Sequence, residues 1–173
     1  MAQPTLPTPP TPPTPSFRIG QGYDLHRLEA GRPFVLGGLV IDFDKGPVGH
    51  SDGDVLLHAA TDALLGATGQ GDIGQWFPPS DARYKGADSA ELLGQVMAQL
   101  TQAGWQVVNL DSTVFAEAPK LSPYKTELAQ RLAGLLGIDA SQINVKAKTM
   151  EGLGAIGSQE AIAASVTVLM QQV

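Results

Sequence analysis

The 173-residue chain is long enough for one domain with a proper core, and its apolar fraction of 43% and charged fraction of 16% are those of an ordinary soluble protein. Its net charge of −6, with only 11 Lys and Arg, argues against a nucleic-acid surface, because phosphate backbones are bound by clustered cations. The absence of cysteine excludes disulfides and thiolate chemistry.

The N-terminal segment differs in composition from the rest of the chain. Residues 1–16 are rich in Pro and Thr and carry no charge, so they are predicted to be a disordered tail before a single catalytic domain, residues 17–173. The tail lacks the features of a secretory or transit signal, and the longest apolar stretch, Ala161–Met170, is shorter than the ~20 residues that span a bilayer. We therefore expect a cytoplasmic protein without membrane contacts.

Beyond residue 16, apolar periodicity and turn residues predict strands that alternate with three helices. In chain order, the predicted elements are a strand from Phe17 to beyond Leu25, a hairpin of Phe34–Leu36 and Leu39–Ile41, a helix Val55–Leu65 closed by Gly66, an irregular loop Gly69–Ser80, a helix capped by Asp88 that ends near Gly104, a strand Trp105–Phe115, a helix from Ser122-Pro123 to Gly137, and strands Ile143–Thr149 and Ala161–Met170. This order indicates an α+β fold, a two-layer sandwich in which helices cover one face of a mixed sheet. The other face needs cover in so small a domain, so we expect self-association through the sheet.

A candidate metal site combines a strand and a helix. Asp24 and His26 share one face of the first strand, and His58 lies on the helix that follows. Without cysteine, a transition metal is held by imidazole and carboxylate, and three such ligands are typical of an open catalytic zinc site. Asp54 and Asp62 stand one turn before and after His58 and are candidates to orient its ring, although Asp54 also suits the first turn of a helix. The alternative for Asp24, His26 and His58 is that they are hydrogen-bonded polar residues that hold no metal.

Two further polar positions admit two interpretations each. His50 and Ser51 precede the helix and suit an anion site, or Ser51 is simply a helix cap. Glu151 follows a strand and is either a ligand of a harder metal or an ordinary loop acid. Its residue type alone favours the loop acid. The glycines from Gly152 to Gly157 lack the G-x-G-x-x-G spacing, which excludes a dinucleotide site.

These candidates belong to longer motifs that extend from Phe17 to the C-terminus. The motifs read Arg18-Ile19-Gly20-x-Gly22-Tyr23-Asp24-x-His26, His50-Ser51-Asp52-Gly53-Asp54-Val55-x-x-His58-Ala59-x-x-Asp62-Ala63-Leu64-Leu65-Gly66, Gly71-Asp72-Ile73-Gly74, Phe77-Pro78, Lys85-Gly86-Ala87-Asp88-Ser89, Ala116-x-Ala118-Pro119-Lys120 and Asn144-Val145-Lys146-Ala147-x-Thr149-x-Glu151-x-Leu153-Gly154. Together they resemble the 2-C-methyl-D-erythritol 2,4-cyclodiphosphate synthase family of the non-mevalonate isoprenoid pathway.

The resemblance implies a phosphorus–oxygen lyase that works as a homotrimer with active sites between subunits. Its reaction converts 4-diphosphocytidyl-2-C-methyl-D-erythritol 2-phosphate to the 2,4-cyclodiphosphate and CMP by metal-assisted intramolecular phosphoryl transfer. By position, Asp24, His26 and His58 would bind one Zn²⁺ per subunit, and Glu151 would bind Mg²⁺ or Mn²⁺.

The resemblance also implies roles in substrate binding. His50 and Thr149 would stabilise the transition state. Residues 72–74 and 77–81 would line the methylerythritol pocket, and residues 116–120 with Lys148 and Thr149 would face the cytidine diphosphate. The substrate-binding residues that it implies are Asp24, His26, His50, Ser51, Asp72, Ile73, Gly74, Phe77, Pro78, Pro79, Ser80, Asp81, Ala116, Ala118, Pro119, Lys120, Lys148, Thr149, Met150 and Glu151. The chain departs from the family at Ala155 and Ser158, where an aromatic residue and an arginine are usual, and at Lys148 and Met150, which interrupt a run of threonines.

The residues alone are also compatible with two other functions. A zinc-dependent phosphohydrolase would use the same three metal ligands to activate water. A non-catalytic trimeric protein that binds metal or phosphate would use them structurally.

Overall fold

A computed structural model describes residues 17–173, so the predicted tail, residues 1–16, lies outside the described residues. The described part contains seven strands, five α-helices and three short 3₁₀ helices. The strands are β1 (Phe17–Ala30), β2 (Phe34–Leu36), β3 (Leu39–Ile41), β4 (Lys45–Pro47), β5 (Trp105–Phe115), β6 (Ile143–Lys148) and β7 (Ala161–Gln172); the helices are α1 (Val55–Thr68), α2 (Ile73–Trp76), α3 (Ser89–Gln102), α4 (Lys125–Leu136) and α5 (Gly154–Gly157).

Five strands form one sheet in the order β4-β1-β7-β5-β6, and β2 and β3 form a separate hairpin. The sheet is mixed: β7 is antiparallel to both β1 and β5, whereas β5 and β6 are parallel. The predicted mixed sheet, the α+β class and the three long helices are confirmed. Because β1, β5 and β6 run in the same direction, their carboxyl ends meet at one end of the sheet.

Helix α1 packs very closely on β1. A Cβ atom at Gly20 would lie 1.8 Å from the Ala63 carbonyl oxygen, and one at Gly22 would lie 2.0 Å from the Ala59 carbonyl oxygen. Real Cβ contacts are never this short, so the two strand residues must be glycines for the helix to lie where it does. This close approach brings the first turns of α1 over the carboxyl-terminal half of β1.

The side chains of β1 alternate between a buried and an exposed set. Gly20, Gly22 and Leu28 are buried, and Asp24 and His26 follow on the same side of the strand, as predicted. The opposite side carries large apolar groups that are exposed in the single chain: Phe17, Ile19, Tyr23 and Leu25, of which Ile19 is 73% exposed.

Two boundaries near the first helix differ from the prediction. Helix α1 continues through Gly66 to Thr68, because the left-handed residue that ends it is Gly69, whose N–H donates to the Gly66 carbonyl. The segment after it is not wholly irregular. Asp72 caps the short helix α2 by accepting the Gln75 N–H at 2.9 Å.

Helix α4 also begins later than predicted. Ser122–Tyr124 form a 3₁₀ turn without a side-chain cap, and the α-helical hydrogen bonds begin at Lys125. Its end at the left-handed Gly137 is confirmed. No helix within residues 17–173 is long and apolar enough to cross a membrane.

Candidate metal centre

Three predicted metal ligands meet where α1 crosses β1. Asp24 Oδ2 lies 2.9 Å from His26 Nε2 and 2.9 Å from His58 Nδ1, and the two histidine nitrogens are 3.0 Å apart. The strand supplies two of these atoms and the first turn of the helix supplies the third. The structure therefore joins in space what the sequence separates by 34 positions.

The three atoms suit a small divalent cation. In tetrahedral zinc sites, ligands at roughly 2.0–2.1 Å from the metal are about 3.3 Å from one another, so this triangle needs to open by only a few tenths of an ångström. Two imidazole nitrogens and one carboxylate oxygen are also a donor set that zinc prefers. The residues fit a metal of this type, and among the described residues they are the cluster of three His, Asp or Glu groups close enough to hold one.

The electrostatics of the cluster favour a charged pair. Burial opposes ionisation of Asp24, but hydrogen bonds and charges from His26 and His58 outweigh it and hold the pKa of Asp24 well below its usual range. Burial also opposes the charged form of His58, yet the hydrogen bond and charge of Asp24 raise the His58 pKa. Both shifts favour a positive charge beside the Asp24 carboxylate, which is the position that a cation would take.

The second nitrogen of His58 is held by two serines. His58 Nε2 lies 2.9 Å from Ser51 Oγ and 2.9 Å from Ser89 Oγ. Ser89 is the first residue of α3, and its hydroxyl and its N–H both donate to the carboxylate of Asp52. Sequence reasoning placed Ser51 toward the substrate and assigned no role to Ser89 or Asp52; the motif spacing contains no signal for a contact between residues 58 and 89.

Asp54 and Asp62 have other partners than the predicted one. Asp54 caps α1 by accepting the N–H groups of Leu56 and Leu57, and its second oxygen accepts the Gly38 N–H at 2.7 Å. Asp62 accepts the Ile73 N–H at 2.8 Å and so ties α2 to α1. Burial raises the pKa of both carboxyls. Neither carboxylate is hydrogen-bonded to His58 in the described structure: Asp54 takes its alternative role at the start of the helix, and Asp62 binds a backbone N–H in place of the imidazole.

The metal cluster opens into a cavity of about 220 Å³. Its lining includes the predicted residues Asp24, His26, His50, Ser51, His58, Ile73, Gly74, Phe77 and Pro79, together with Tyr84 and Leu92, which were not predicted. The other predicted residues of this segment, Asp72, Pro78, Ser80 and Asp81, are not among those that line it; Asp72 caps α2, and the Asp81 carboxylate pairs with Arg83. His50 Nε2 lies 3.4 Å from the Asp81 carbonyl oxygen, so the loop after α2 contacts the segment before α1.

A second cavity, of about 250 Å³, lies at the carboxyl ends of β5 and β6. It is lined by the predicted residues Ala116, Pro119, Lys120, Lys148 and Thr149, and by Glu117, Leu121, Ser122 and Ala147. Met150 is held at its edge, where its N–H donates to the Glu117 carboxylate at 3.0 Å. Within one chain, this cavity is separate from the metal cluster, so the structure does not bring His50 and Thr149 into one site.

Glu151 lies beyond the end of β6 and is exposed. Its carboxylate accepts the Thr149 hydroxyl at 2.9 Å. Its φ of 52° is in the left-handed region, which is uncommon for a residue other than glycine and occurs often at functional sites. One exposed carboxylate suits Mg²⁺, which commonly uses one or two protein oxygens and takes the others from water and phosphate.

Fold and site together define an α+β protein with a candidate Asp-His-His metal centre that opens into one cavity, and with a second cavity at the carboxyl ends of β5 and β6. The chain belongs to the YgbB family, whose model matches residues 17–171. A curated relative, 2-C-methyl-D-erythritol 2,4-cyclodiphosphate synthase from Bordetella avium, is 54% identical over 154 residues, which are 89% of this chain and 95% of that protein.

Solved structures agree with this assignment. The bifunctional IspDF from Campylobacter jejuni matches with a TM-score of 0.87 and 41% identity over 91% of this chain, which spans 42% of that longer protein. A CDP complex of IspF from Plasmodium falciparum matches with a TM-score of 0.80 and 35% identity, covering 91% of this chain and 97% of that one.

Proposed function

We propose that this chain is a 2-C-methyl-D-erythritol 2,4-cyclodiphosphate synthase, which converts 4-diphosphocytidyl-2-C-methyl-D-erythritol 2-phosphate to the cyclic diphosphate and CMP. The observation that carries the proposal is the Asp24, His26 and His58 cluster, open to a cavity, in a chain 54% identical to a synthase of that name. A lone metal site on this fold would not specify a reaction, since a fold hosts many functions.

The two cavities suit the two ends of this substrate. The first, with Ile73, Phe77 and His50 around the metal cluster, has the size and mixed polarity for a methylerythritol phosphate. The second carries Lys120 and Lys148, whose charges suit a diphosphate. The CDP complex of the Plasmodium falciparum protein supports a nucleotide in this family's site.

Two cations complete the proposed site. Zn²⁺ would be held by Asp24, His26 and His58, and Mg²⁺ or Mn²⁺ by Glu151 with the substrate phosphates. When bound, these cations supply Lewis-acid neutralisation of phosphate charge and a template for the reacting groups. Thr149 orients the Glu151 carboxylate through its hydroxyl hydrogen bond.

The proposed reaction is an in-line displacement at phosphorus. An oxygen of the 2-phosphate forms a bond to the β-phosphorus, and the bond from that phosphorus to the bridging oxygen of CMP breaks, so the electron pair leaves with CMP. A phosphate is already an anion at neutral pH, so the chain needs no strong general base. His50 would donate a hydrogen bond to the charge that develops on the phosphoryl oxygens, and Thr149 would do the same once a cation at Glu151 releases its hydroxyl proton from that carboxylate.

We further propose a homotrimer with active sites between subunits. The apolar side chains of β1 opposite α1 would be covered by neighbouring sheets, which leaves each chain as a two-layer sandwich. A cyclic arrangement can set the metal cavity of one subunit against the nucleotide cavity of the next, which accounts for two half-sites in each chain. A particle of three times the 18.1 kDa chain mass is expected by light scattering.

Product analysis tests the activity. The purified protein is incubated with the cytidine diphosphate substrate, Zn²⁺ and Mg²⁺, and the products are resolved by ³¹P NMR. Equal amounts of CMP and cyclic diphosphate are expected. Open-chain phosphates would instead indicate a zinc phosphohydrolase, and bound ligand without turnover would indicate a non-catalytic binding protein; either result overturns the proposal.

A further inference from the structure

We infer that Ser89 and Asp52 are positioning residues that fix which nitrogen of His58 carries its proton, so that Nδ1 is presented to the metal. The inference rests on the proposed metal centre, but it concerns only the hydrogen bonds on the far side of the ring. Neither residue is among those that line the cavity or form the metal cluster.

The carboxylate of Asp52 sets the direction of the Ser89 hydroxyl proton. Its Oδ1 accepts the Ser89 hydroxyl and the Asp54 N–H at 3.1 Å, and its Oδ2 accepts the Ser89 N–H at 3.0 Å. Three donors converge on this group, so it acts as an acceptor throughout. The one hydroxyl proton of Ser89 is therefore committed to Asp52.

The proton of His58 follows from that commitment. Ser89 Oγ lies 2.9 Å from His58 Nε2 and has no second proton to give, so the bond forms only if Nε2 carries a hydrogen and donates it. A neutral imidazole protonated on Nε2 has its lone pair on Nδ1. That is the atom 2.9 Å from Asp24 Oδ2 and 3.0 Å from His26 Nε2.

Ser51 alone would not enforce this arrangement. Its Oγ is also 2.9 Å from His58 Nε2, but its hydroxyl is free to donate to that nitrogen or to accept from it. If it donated, the ring proton would move to Nδ1 and would compete with the metal. Ser89 removes this choice because Asp52 takes its proton.

The surrounding backbone holds the group rigidly. Asp52 donates its N–H to the Ala87 carbonyl at 3.1 Å, and the Gly86 N–H donates to the His50 carbonyl at 2.8 Å. These bonds tie the turn before α1 to the turn before α3. The imidazole of α1 is thus oriented by a residue of another helix, and metal-ligating histidines are commonly oriented in this way by a hydrogen bond at the ring nitrogen that does not face the metal.

The test compares zinc affinity, measured by competition with a chromophoric chelator, in the wild type and three variants. Asp52→Asn keeps the side-chain shape but lets the amide donate to Ser89, which frees the serine proton to point at His58. Ser89→Ala removes the acceptor. Both are expected to weaken zinc binding by roughly 10–100-fold. The matched control is Ser112→Ala, since Ser112 and Ser89 are both 1% exposed and the Ser112 hydroxyl bonds only to the Asn144 carbonyl among the described residues.

A spectroscopic measurement separates positioning from general destabilisation. In zinc-loaded, ¹⁵N-histidine-labelled protein, the Nε2–H of His58 should give a downfield signal protected from exchange with water. The signal should persist in Ser112→Ala and lose its protection in Asp52→Asn and Ser89→Ala.

Each outcome decides a specific point. If both variants bind zinc as tightly as Ser112→Ala, the inference is wrong; if Ser89→Ala does not fold, Asp52→Asn alone decides it. If the wild type itself does not bind zinc, the proposed metal centre fails instead, which is a distinguishable result.

Discussion

His58 Nδ1 lies 2.9 Å from Asp24 Oδ2, although the two residues are 34 positions apart in the chain. The pair joins helix α1 to strand β1. The contact depends on how closely α1 approaches β1, and that distance is set by two glycines of the strand. The geometry of the metal centre therefore depends on the packing of α1 against β1. A substitution that moves the helix away from the strand should weaken metal binding as well as the stability of the core.

Replacing His58 by Ala should abolish zinc binding and nearly all synthase activity, because two ligands cannot hold the ion as three do. Zinc content by mass spectrometry and CMP release are measured on the same sample. His50→Ala is the matched control: it should keep its zinc and lose activity, since His50 lines the cavity outside the metal cluster. Retained zinc in His58→Ala would falsify the ligand assignment.

Gly22→Ala should destabilise the protein by about 3 kcal/mol, because the new Cβ would lie 2.0 Å from the Ala59 carbonyl oxygen and would push α1 away from the sheet. His58 would move with the helix, so zinc affinity should fall as well. The free energy of unfolding is measured in urea. Gly66→Ala provides the control on the same helix: its Cβ would have no neighbour within 4 Å, and it should stabilise α1 by about 0.5–1 kcal/mol. Equal effects of the two substitutions would contradict the packing argument.

Zinc affinity should decrease as pH falls through the titration of His58. The pKa of this histidine is raised above its usual value near 6.5, mainly by Asp24 against the opposing effect of burial, so its proton begins to compete with the metal at a higher pH than for an isolated imidazole. Asp24 has a lowered pKa and stays ionised over the same range. Below the raised pKa, log affinity should fall by about one per pH unit for each histidine proton that the metal displaces. A flat profile between about pH 8 and about pH 5 would contradict this assignment.

Lys148→Ala should raise KM for the cytidine diphosphate substrate by about tenfold, because a charge-assisted hydrogen bond to phosphate contributes about 1.5–3 kcal/mol at most. Zinc content should not change, since Lys148 lines the second cavity. Lys148→Arg, which keeps the charge, should retain most of the affinity. Initial rates against substrate concentration separate KM from kcat, and an effect on kcat alone would mean that Lys148 does not bind the ground state.

The metal ligands were accessible from the sequence because their positions obey local periodicities. Asp24 and His26 are two residues apart on a strand, and His58 is on a helix with clear start signals. Ser89 and Asp52 were not accessible, since their contact with His58 arises where α3 begins beside α1. The predicted role of Asp62 failed for the same reason: helical spacing placed it one turn from His58, but α2 packs nearby and its Ile73 N–H takes the carboxylate.

Helix ends show a similar limit. Gly66 and Gly69 are both suitable terminators by composition, and only the structure distinguishes the helical Gly66 from the left-handed Gly69. The turn at Ser122 had the residues of a helix start, but its first turn is 3₁₀ and uncapped. Local signals thus located the elements, while tertiary contacts fixed their ends.

A mixture of two inactive variants should recover activity if each active site spans two subunits. His50→Ala disables the metal cavity and Thr149→Ala disables the second cavity, which one chain keeps apart. In a cyclic trimer, a site is intact only where the metal cavity comes from a Thr149→Ala subunit and the second cavity from a His50→Ala neighbour. Random reassembly of equal amounts should therefore restore about one quarter of wild-type activity, with the variants mixed before and after dissociation in mild denaturant as the comparison. Activity that stays at the level of the separate variants would place the whole site within one chain.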